Sequence, residues 1–357
     1  MQRLAPILIF ALMLMSTGCT GLSREVNQAL PEFLRSEPGE AEMEIFRQVR
    51  QAREWSEEDL AEQDRLVERI GSLREQKEWS DAIDLLEEYV EQYAVSRHDE
   101  KVRYWLGDCN FQDDEWERAF NAWRDFSLLH PVSDYNPGLT ESLFLIGKEY
   151  LSGGRSSFFG IFSNRGVGKR VLNHLIESFP SSPRAADAQW TLARYYLDEE
   201  EWPDAEAAFA FIVEQYEGSD WYQASLYYVA YTRYRQVKGD TYDPETMRQA
   251  QADFGRYLAQ APEGEWRGQA QAIIAELEDL RARSLLNVGE WYLDQGKPYS
   301  ARYYFMATIT RFPNSKAAGR AKALLPETPA PETGEVKPAA ARDPGGEAKQ
   351  PSKGPGQ

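Results

Sequence analysis

The chain has 357 residues, with 40 lysines and arginines against 58 aspartates and glutamates, so its formal net charge at neutral pH is -18. This acidic balance disfavours nucleic acid as a partner, because phosphate contacts are made by Lys and Arg, and it disfavours broad adsorption of the chain to anionic lipid. The two cysteines, Cys19 and Cys109, provide neither a disulfide framework nor a zinc-ligand spacing.

The N-terminus has the layout of a secretory signal. An apolar run from Leu4 to Met15 follows a basic start and is too short to span a bilayer. The run ends in Ser-Thr-Gly-Cys, which resembles a bacterial lipoprotein signal with the small Gly18 before the cut. We therefore interpret residues 1–18 as a lipoprotein signal peptide, with lipid added to the thiol and the new amino group of Cys19. The alternative is an ordinary signal peptide with an incidental cysteine.

A lipidated cysteine implies a membrane location. Thr20 follows the cysteine, and in lipoprotein sorting as known from proteobacteria the absence of Asp there implies the outer membrane. Several acyl chains make a stable anchor. Residues 19–56 are mostly polar and are predicted to form a tether or N-terminal segment before the first repeat. We therefore expect a protein that is lipid-anchored at the outer membrane.

A helix–turn–helix pattern is clearest in residues 285–313. Gly296 can adopt the left-handed conformation that ends a helix, and Pro298 suits the first turn of the next helix. A small residue such as Gly289 lets two antiparallel helices approach to roughly 8–10 Å. Phe305 is expected to fill the seam between them. This arrangement looks like one tetratricopeptide (TPR) unit of about 34 residues.

The same spacing of small and bulky residues recurs upstream. The matching pairs are Gly107 with Trp123, Gly147 with Leu172 across an insertion, Ala193 with Phe209, and Ala230 with Phe254, and a degenerate first unit has Ala82, Leu86 and Tyr89. The sequence predicts an all-α fold over residues 57–325, a TPR superhelix (α-solenoid) of about six helix–turn–helix repeats with a C-terminal capping helix. Such folds present a long concave face and usually bind other molecules.

Several helix ends are also predicted. Ser56 and Asp59 match a capping box that starts the first helix, which is expected to end near Gln76. Residues 266–294 contain no Pro or paired Gly, so we expect one long helix there. Ser315 is expected to cap a short terminal helix that ends before Pro326.

Two segments depart from the repeat pattern. An insertion at residues 152–170 combines glycines with four large apolar residues, which are Phe158, Phe159, Ile161 and Phe162. These residues either fold back onto the repeats or form a contact for a partner or the membrane surface. The tail, residues 326–357, is rich in Pro, Ala and Gly and lacks enough large apolar residues to fold, so it is predicted to be disordered.

The repeat register also predicts a peptide-binding groove. By resemblance to known TPR folds, certain positions of the first helix of each repeat face the concave side. Those positions and their neighbours hold aromatic and basic residues, namely Tyr104, Phe144, Lys148, Trp190, Arg194, Tyr227, Tyr231 and Tyr234. We hypothesise that this row binds an extended or short helical peptide carrying aromatic side chains. The alternative is that the rings only pack between neighbouring repeats.

Catalytic chemistry has little support in the sequence. The three histidines, His98, His130 and His174, are scattered and lack metal-ligand spacing, and no nucleophile elbow appears. We expect no catalytic residues, no metal and no cofactor.

The C-terminal half resembles a known family. The motifs are Gln-Ala-Gln-Ala-Asp-Phe at 249–254, Gly-Glu-Trp-Tyr-Leu at 289–293, Ser-Ala-Arg-Tyr-Tyr at 300–304 and Phe-Pro-Asn-Ser at 312–315. With the long helix between the first two, they make about residues 140–325 similar to BamD-type lipoproteins, the TPR component of the β-barrel assembly machinery. The units before Thr140, the insertion and the tail are additional to that pattern.

The resemblance implies a location and partners. The protein would lie on the periplasmic face of the outer membrane, with its C-terminal repeats docked on the POTRA domains of the barrel insertase. Its other partners would be further assembly-machine lipoproteins and unfolded outer membrane protein precursors, held in the N-terminal groove. Two alternatives remain open, a pilotin-like lipoprotein that carries secretin subunits and another TPR envelope scaffold for secretion or cell-wall complexes. The long helix favours the BamD type over a pilotin.

Overall fold

The computed structural model describes residues 55–153, 164–237 and 244–328. They form thirteen α-helices and one short 3-10 helix, grouped into two compact units that divide between Ser133 and Asp134. The signal peptide, Cys19, nearly all of the 19–56 segment, the four apolar residues of the insertion, and the tail beyond Thr328 lie outside the described residues.

The described residues of the first unit form four helices, each packed against the next along the chain. They are α1 (Glu57–Gln76), α2 (Trp79–Gln92), α3 (Asp99–Gln112) and α4 (Trp116–Leu129).

The second unit contains nine helices in its described residues, again packed in chain order, and it ends with the 3-10 helix Leu325–Glu327. They are α5 (Asn136–Ser152), α6 (Arg165–Ser178), α7 (Pro183–Asp198), α8 (Trp202–Gln215), α9 (Tyr222–Arg235), α10 (Pro244–Gln260), α11 (Arg267–Asp294), α12 (Pro298–Arg311) and α13 (Lys316–Leu324). The predicted all-α fold of TPR repeats is confirmed.

The predicted helix ends agree closely with the structure. The Ser56 side chain accepts from the backbone N–H of Asp59, and the Asp59 carboxylate accepts from the backbone of Ser56, which completes the capping box. Helix α11 is the expected long helix, and Gly296 ends that region with a φ of 67°. Ser315 caps α13 by accepting from the N–H of Ala318. Helix α5 begins at Asn136. Pro137 lies in its first turn, where proline is compatible with a helix.

A tight seam closes each repeat that carries a glycine on its first helix. A Cβ added to Gly289 would lie 2.6 Å from Cε1 of Phe305, and one added to Gly147 would lie 2.5 Å from Cγ of Leu172. In the first unit, a Cβ on Gly107 would overlap the fully buried indole of Trp123. Only glycine leaves room for these side chains, so the predicted small-and-bulky pairing is the packing device of the repeats.

Besides the seam inside a repeat, polar contacts join neighbouring repeats within each unit. Five contacts connect residues that stand 34 positions apart, which is one TPR length. They are Asp64–His98 (2.8 Å), Arg74–Asp108 (2.5 Å), Arg165–Glu199 (2.6 Å), Asp187–Trp221 (2.8 Å) and Arg194–Tyr228 (2.8 Å). Equivalent positions of adjacent repeats therefore lie side by side.

Cys109 is fully buried in the first unit, as expected for a small hydrophobic residue. Burial raises the pKa of its thiol to about 11. The thiol is therefore protonated at neutral pH and unreactive while this unit is folded. None of the helices in the described ranges combines the length and the hydropathy needed to cross a bilayer.

The seam can be tested with two glycine-to-alanine substitutions. Gly289→Ala forces the ring of the fully buried Phe305 to move, so we expect the free energy of unfolding to fall by ~1–2 kcal/mol. Gly255→Ala is the control, because Gly255 is exposed in α10 and its added Cβ would contact nothing within 4 Å. There we expect an increase of ~0.5–1 kcal/mol from helix propensity. Urea unfolding followed by circular dichroism measures both free energies. Equal changes in the two variants would contradict the tight packing of Phe305 against Gly289.

Candidate functional site

An open cleft of about 740 Å³ lies in the second unit on the side of the first helices of successive repeats. Its walls come from α5, the start of α6, most of α7 and Trp221, the residue before α9. Volumes of this size are typical of ligand sites.

Tryptophan rings form the apolar part of the cleft. The indoles of Trp190 and Trp221 are stacked, with centroids 4.6 Å apart and planes inclined by 10°. Trp190 also meets the ring of the buried Phe209 edge-on at 5.4 Å, and Trp221 Nε1 donates to Asp187 Oδ1 at 2.8 Å. Contacts with Phe209 and Asp187 therefore hold the two indoles in position, and both indoles remain partly exposed to the cleft.

Most charged groups around the cleft are paired with one another. Arg184 donates to both carboxylate oxygens of Glu141, at 2.5 and 2.8 Å, and to Asp187 Oδ2 at 2.7 Å. These hydrogen bonds raise the pKa of Arg184 above its ordinary value. Arg165 pairs with Glu199 at 2.6 Å. The pairs hold the side chains of the walls in place, so the cleft is largely pre-formed.

Lys148 is the exception among the cations of the cleft. It is exposed, its ammonium lies 6.0 Å from the centroid of the Phe144 ring, and no carboxylate of the described residues lies within ion-pair distance. The same ring also lies 5.1 Å from the guanidinium carbon of Arg184. The cleft therefore contains the ring of Phe144 beside Lys148, whose ammonium is available to a ligand.

The structure places four of the predicted groove residues together. Phe144, Lys148, Trp190 and Arg194 all line the cleft. Arg194 donates to the hydroxyl of Tyr228 at 2.8 Å and lies 5.3 Å from that ring, so its side chain is held along the wall. Tyr104 belongs to the first unit, where its ring packs at 6.4 Å from Trp123.

The remaining three predicted residues form a separate cluster on α9. Tyr227 is only 5% exposed, and its ring stacks on Trp266 at 5.1 Å. Burial raises the pKa of Tyr227 to about 12. Tyr231 accepts a hydrogen bond from Arg235 at 2.8 Å, and Tyr234 donates to Glu276 at 2.9 Å. The structure thus gives Tyr227 a packing position with no surface for a ligand, and none of the three lines the cleft.

Sequence reasoning missed several residues of the cleft wall. Arg184, Asp187 and Trp221 line it but lie outside the positions expected to face the groove. Two of the contacts here could have been found from spacing, because Asp187–Trp221 and Arg194–Tyr228 each join residues 34 apart. The contact of Arg184 with Glu141 spans 43 positions because the insertion lengthens that repeat, so the same rule would have missed it.

The arrangement can bind a chain through rings and paired charges. An aromatic floor with polar edges suits an extended peptide whose apolar side chains face the tryptophans. Within the described ranges, no three His, Cys, Asp or Glu side chains are grouped so that they could hold a metal ion.

The comparison with protein families finds one match. Residues 164–330 match the model of YfiO, described as an outer membrane lipoprotein. The match covers slightly less than half of the chain, from the start of α6 past the 3-10 helix, and so includes α7 of the cleft and the last repeats. It supports a TPR-type envelope lipoprotein. No curated protein sequence matches the chain.

Several solved structures with similar helices are described as TPR proteins. One from Parabacteroides merdae is 14% identical, with a TM-score of 0.31, and the match covers 74% of this chain and 97% of that one. PilW, described as a type IV pilus biogenesis factor, is 13% identical with a TM-score of 0.25, covering 73% and 98%. The TPR domain of P58(IPK) is 15% identical with a TM-score of 0.25, covering 82% and 72%. Scores this low give no grounds for transferring a function.

The pairing within the cleft wall predicts unequal effects for two similar substitutions on α7. Asp187→Asn removes the charge that accepts from both Arg184 and Trp221, and we expect the free energy of unfolding to fall by about 1 kcal/mol. Asp198→Asn is the control, because its side chain is 68% exposed and its contact with Arg194 is long, at 3.5 Å. That change should stay below about 0.5 kcal/mol. Urea unfolding followed by tryptophan fluorescence distinguishes the two results, and equal losses would contradict the role of Asp187.

Proposed function

We propose that this protein is a non-catalytic TPR adaptor lipoprotein at the periplasmic face of the outer membrane, acting in the assembly of β-barrel outer membrane proteins. The observation that carries the proposal is the YfiO match over residues 164–330, since YfiO is the BamD family. The TPR fold is compatible with this role, because stacked repeats offer large binding surfaces on rigid helices.

In this proposal the cleft receives the unfolded barrel precursor. The alternating side chains of an extended strand would place aromatic rings against Trp190 and Trp221 and polar groups towards Lys148. Because Tyr227 is buried, it supports the neighbouring repeat rather than contacting the client. The C-terminal repeats would dock on the POTRA domains of the barrel insertase, and further assembly-machine lipoproteins would join the complex.

The partners can be tested with the full-length, lipidated chain. A tagged chain is purified from solubilised envelopes, and its partners are identified by mass spectrometry. Co-purification of the barrel insertase supports the proposal. Recovery of a secretin or of cell-wall proteins in its place would overturn it in favour of a pilotin-like or scaffold role. A Cys19→Ser variant serves as the control for the anchor, since without acyl chains it should be released from the membrane fraction by a high-salt wash.

The role of the cleft predicts a selective loss of peptide affinity. Phe144→Ala combined with Lys148→Ala removes the half-buried ring and the available cation, and we expect the Kd for a peptide with the terminal strand of a barrel precursor to rise at least about tenfold. The matched control is Leu145→Ala with Glu149→Ala, one apolar and one charged residue exposed on the same helix but outside the cleft. Fluorescence anisotropy measures all Kd values, and the control should stay within about twofold. A double variant that binds as tightly as the parent would remove the cleft from the proposal.

A further inference from the structure

Large apolar side chains are exposed in an unusual concentration at the last repeat. Trp291 is 53% exposed, Tyr299 52%, Tyr303 47% and Met306 43%. All four fall within sixteen residues of α11 and α12. Contiguous exposed apolar surface on a soluble domain marks a contact with another protein or with a membrane.

Three of these residues form a stripe along one face of α12. Tyr299, Tyr303 and Met306 are spaced four and three positions apart, which places them on one side of the helix. The opposite side contains Ala301 and Phe305, which are fully buried in the seam with α11. The stripe therefore faces away from the core of its own repeat, and folding of this repeat does not cover it.

The charge of α12, α13 and the turns next to them is the reverse of the charge of the whole chain. Residues 295–325 contain six basic residues and no acidic residue, although the formal net charge of the chain is -18. The six are Lys297, Arg302, Arg311, Lys316, Arg320 and Lys322. They lie on α12, α13 and the turns next to these helices, so positive charge is concentrated at one end of the second unit.

Most of this positive charge is not neutralised by carboxylates. Arg320 pairs with Glu290 at 3.2 Å, and Arg302 donates to the backbone carbonyl of Thr328 at 3.0 Å. Arg311, Lys316 and Lys322 are exposed, and none of them has an ion-pair partner among the residues that the structure describes. A partner surface that contacts these cations must therefore carry negative charge.

The distribution of charge decides between the possible occupants. A second copy of the chain would bring six like charges against six others across a symmetric interface, which is repulsive. A protein partner normally sets its register with charges of both signs, whereas the charged side chains of residues 295–325 are all basic. A planar anionic surface needs no register. It also suits the tyrosines of the stripe, whose rings favour the headgroup level of a bilayer, and a methionine that enters slightly deeper.

We propose that the face of α12 defined by Tyr299, Tyr303 and Met306, together with the basic residues around it, docks on an anionic phospholipid surface. The acidic remainder of the chain does not prevent this contact, because at physiological salt charges more than about 8 Å from the surface are largely screened. The contact turns one end of the second unit towards the membrane. It does not rest on the lipid at Cys19 or on a role in barrel assembly.

The test uses the chain without its signal peptide and with Cys19→Ser, so that no acyl chain contributes. Binding is measured by co-sedimentation with vesicles of phosphatidylcholine alone and with vesicles that also contain phosphatidylglycerol in equal parts.

One variant combines Tyr299→Ser, Tyr303→Ser and Met306→Ser, and another combines Arg311→Glu, Lys316→Glu and Lys322→Glu. The apolar control combines Leu145→Ser and Phe211→Ser, which are 46% and 39% exposed elsewhere in the same unit. The charge control combines Arg65→Glu, Arg118→Glu and Arg248→Glu, which are exposed on other helices.

We expect the parent chain to bind the anionic vesicles at least about tenfold more tightly than the neutral ones, and high salt to weaken that binding. Each variant of the face should lose about tenfold or more, while both controls stay within about twofold. Circular dichroism checks that every variant is folded. We expect all of them to fold, because the substituted side chains are exposed. Equal vesicle affinities of the face variants and the controls would overturn the proposal. Equal affinities of the parent chain for the anionic and the neutral vesicles would also overturn it. If the face variants keep vesicle binding but lose a protein cross-linked in envelopes, the face is a protein interface and the lipid proposal is wrong.

Discussion

Each repeat closes because a small residue on its first helix leaves room for a bulky side chain from its second helix. Where the small residue is glycine, an added Cβ would come within 2.6 Å of the ring of Phe305 at Gly289 and within 2.5 Å of Leu172 at Gly147. Protein interiors are close-packed, so such a seam allows one distance and one register between two helices. Once that register is set in successive repeats, their first helices align and their outward side chains form a continuous surface.

The polar contacts at an interval of 34 residues follow from this alignment. When equivalent positions of adjacent repeats lie side by side, a side chain at one position meets its counterpart one repeat later. The Asp187–Trp221 and Arg194–Tyr228 contacts both arise in this way and both hold the wall of the cleft. The cleft is therefore a product of the repeat geometry, and its side chains are positioned before any ligand arrives.

The second unit has two surfaces of different chemistry. The cleft combines stacked tryptophans with paired charges of both signs, which suits a peptide that must be oriented. The face of α12 combines a stripe of tyrosines and methionine with positive charge alone, which suits a surface without specific register. The proposed adaptor role, with a client held close to a membrane, needs both kinds of contact. The cleft lies on α5, α6 and α7 and the stripe on α12, so the two contacts involve different residues.

Local rules were enough to predict the helices and their ends. Ser56, Gly296 and Ser315 cap helices as expected, because capping depends on residues only three or four positions apart. The seams were also predictable, since a TPR seam joins residues at a fixed spacing, as for Gly289 and Phe305. The groove was predicted only in part. The four predicted residues Phe144, Lys148, Trp190 and Arg194 line one cleft, and their role in binding a peptide stays a prediction.

Tertiary structure alone decided which rings are available to a ligand. Tyr227 occupies a groove-facing position by phase but is buried, because Trp266 from the N-terminal end of α11 stacks on its ring. Arg184 joins the cleft because it pairs with Glu141 across a repeat whose length differs from the usual one. In both cases the neighbour is far away in sequence at no fixed interval. The sequence by itself therefore determined the repeat and its phase, and packing between repeats determined which surface remained open.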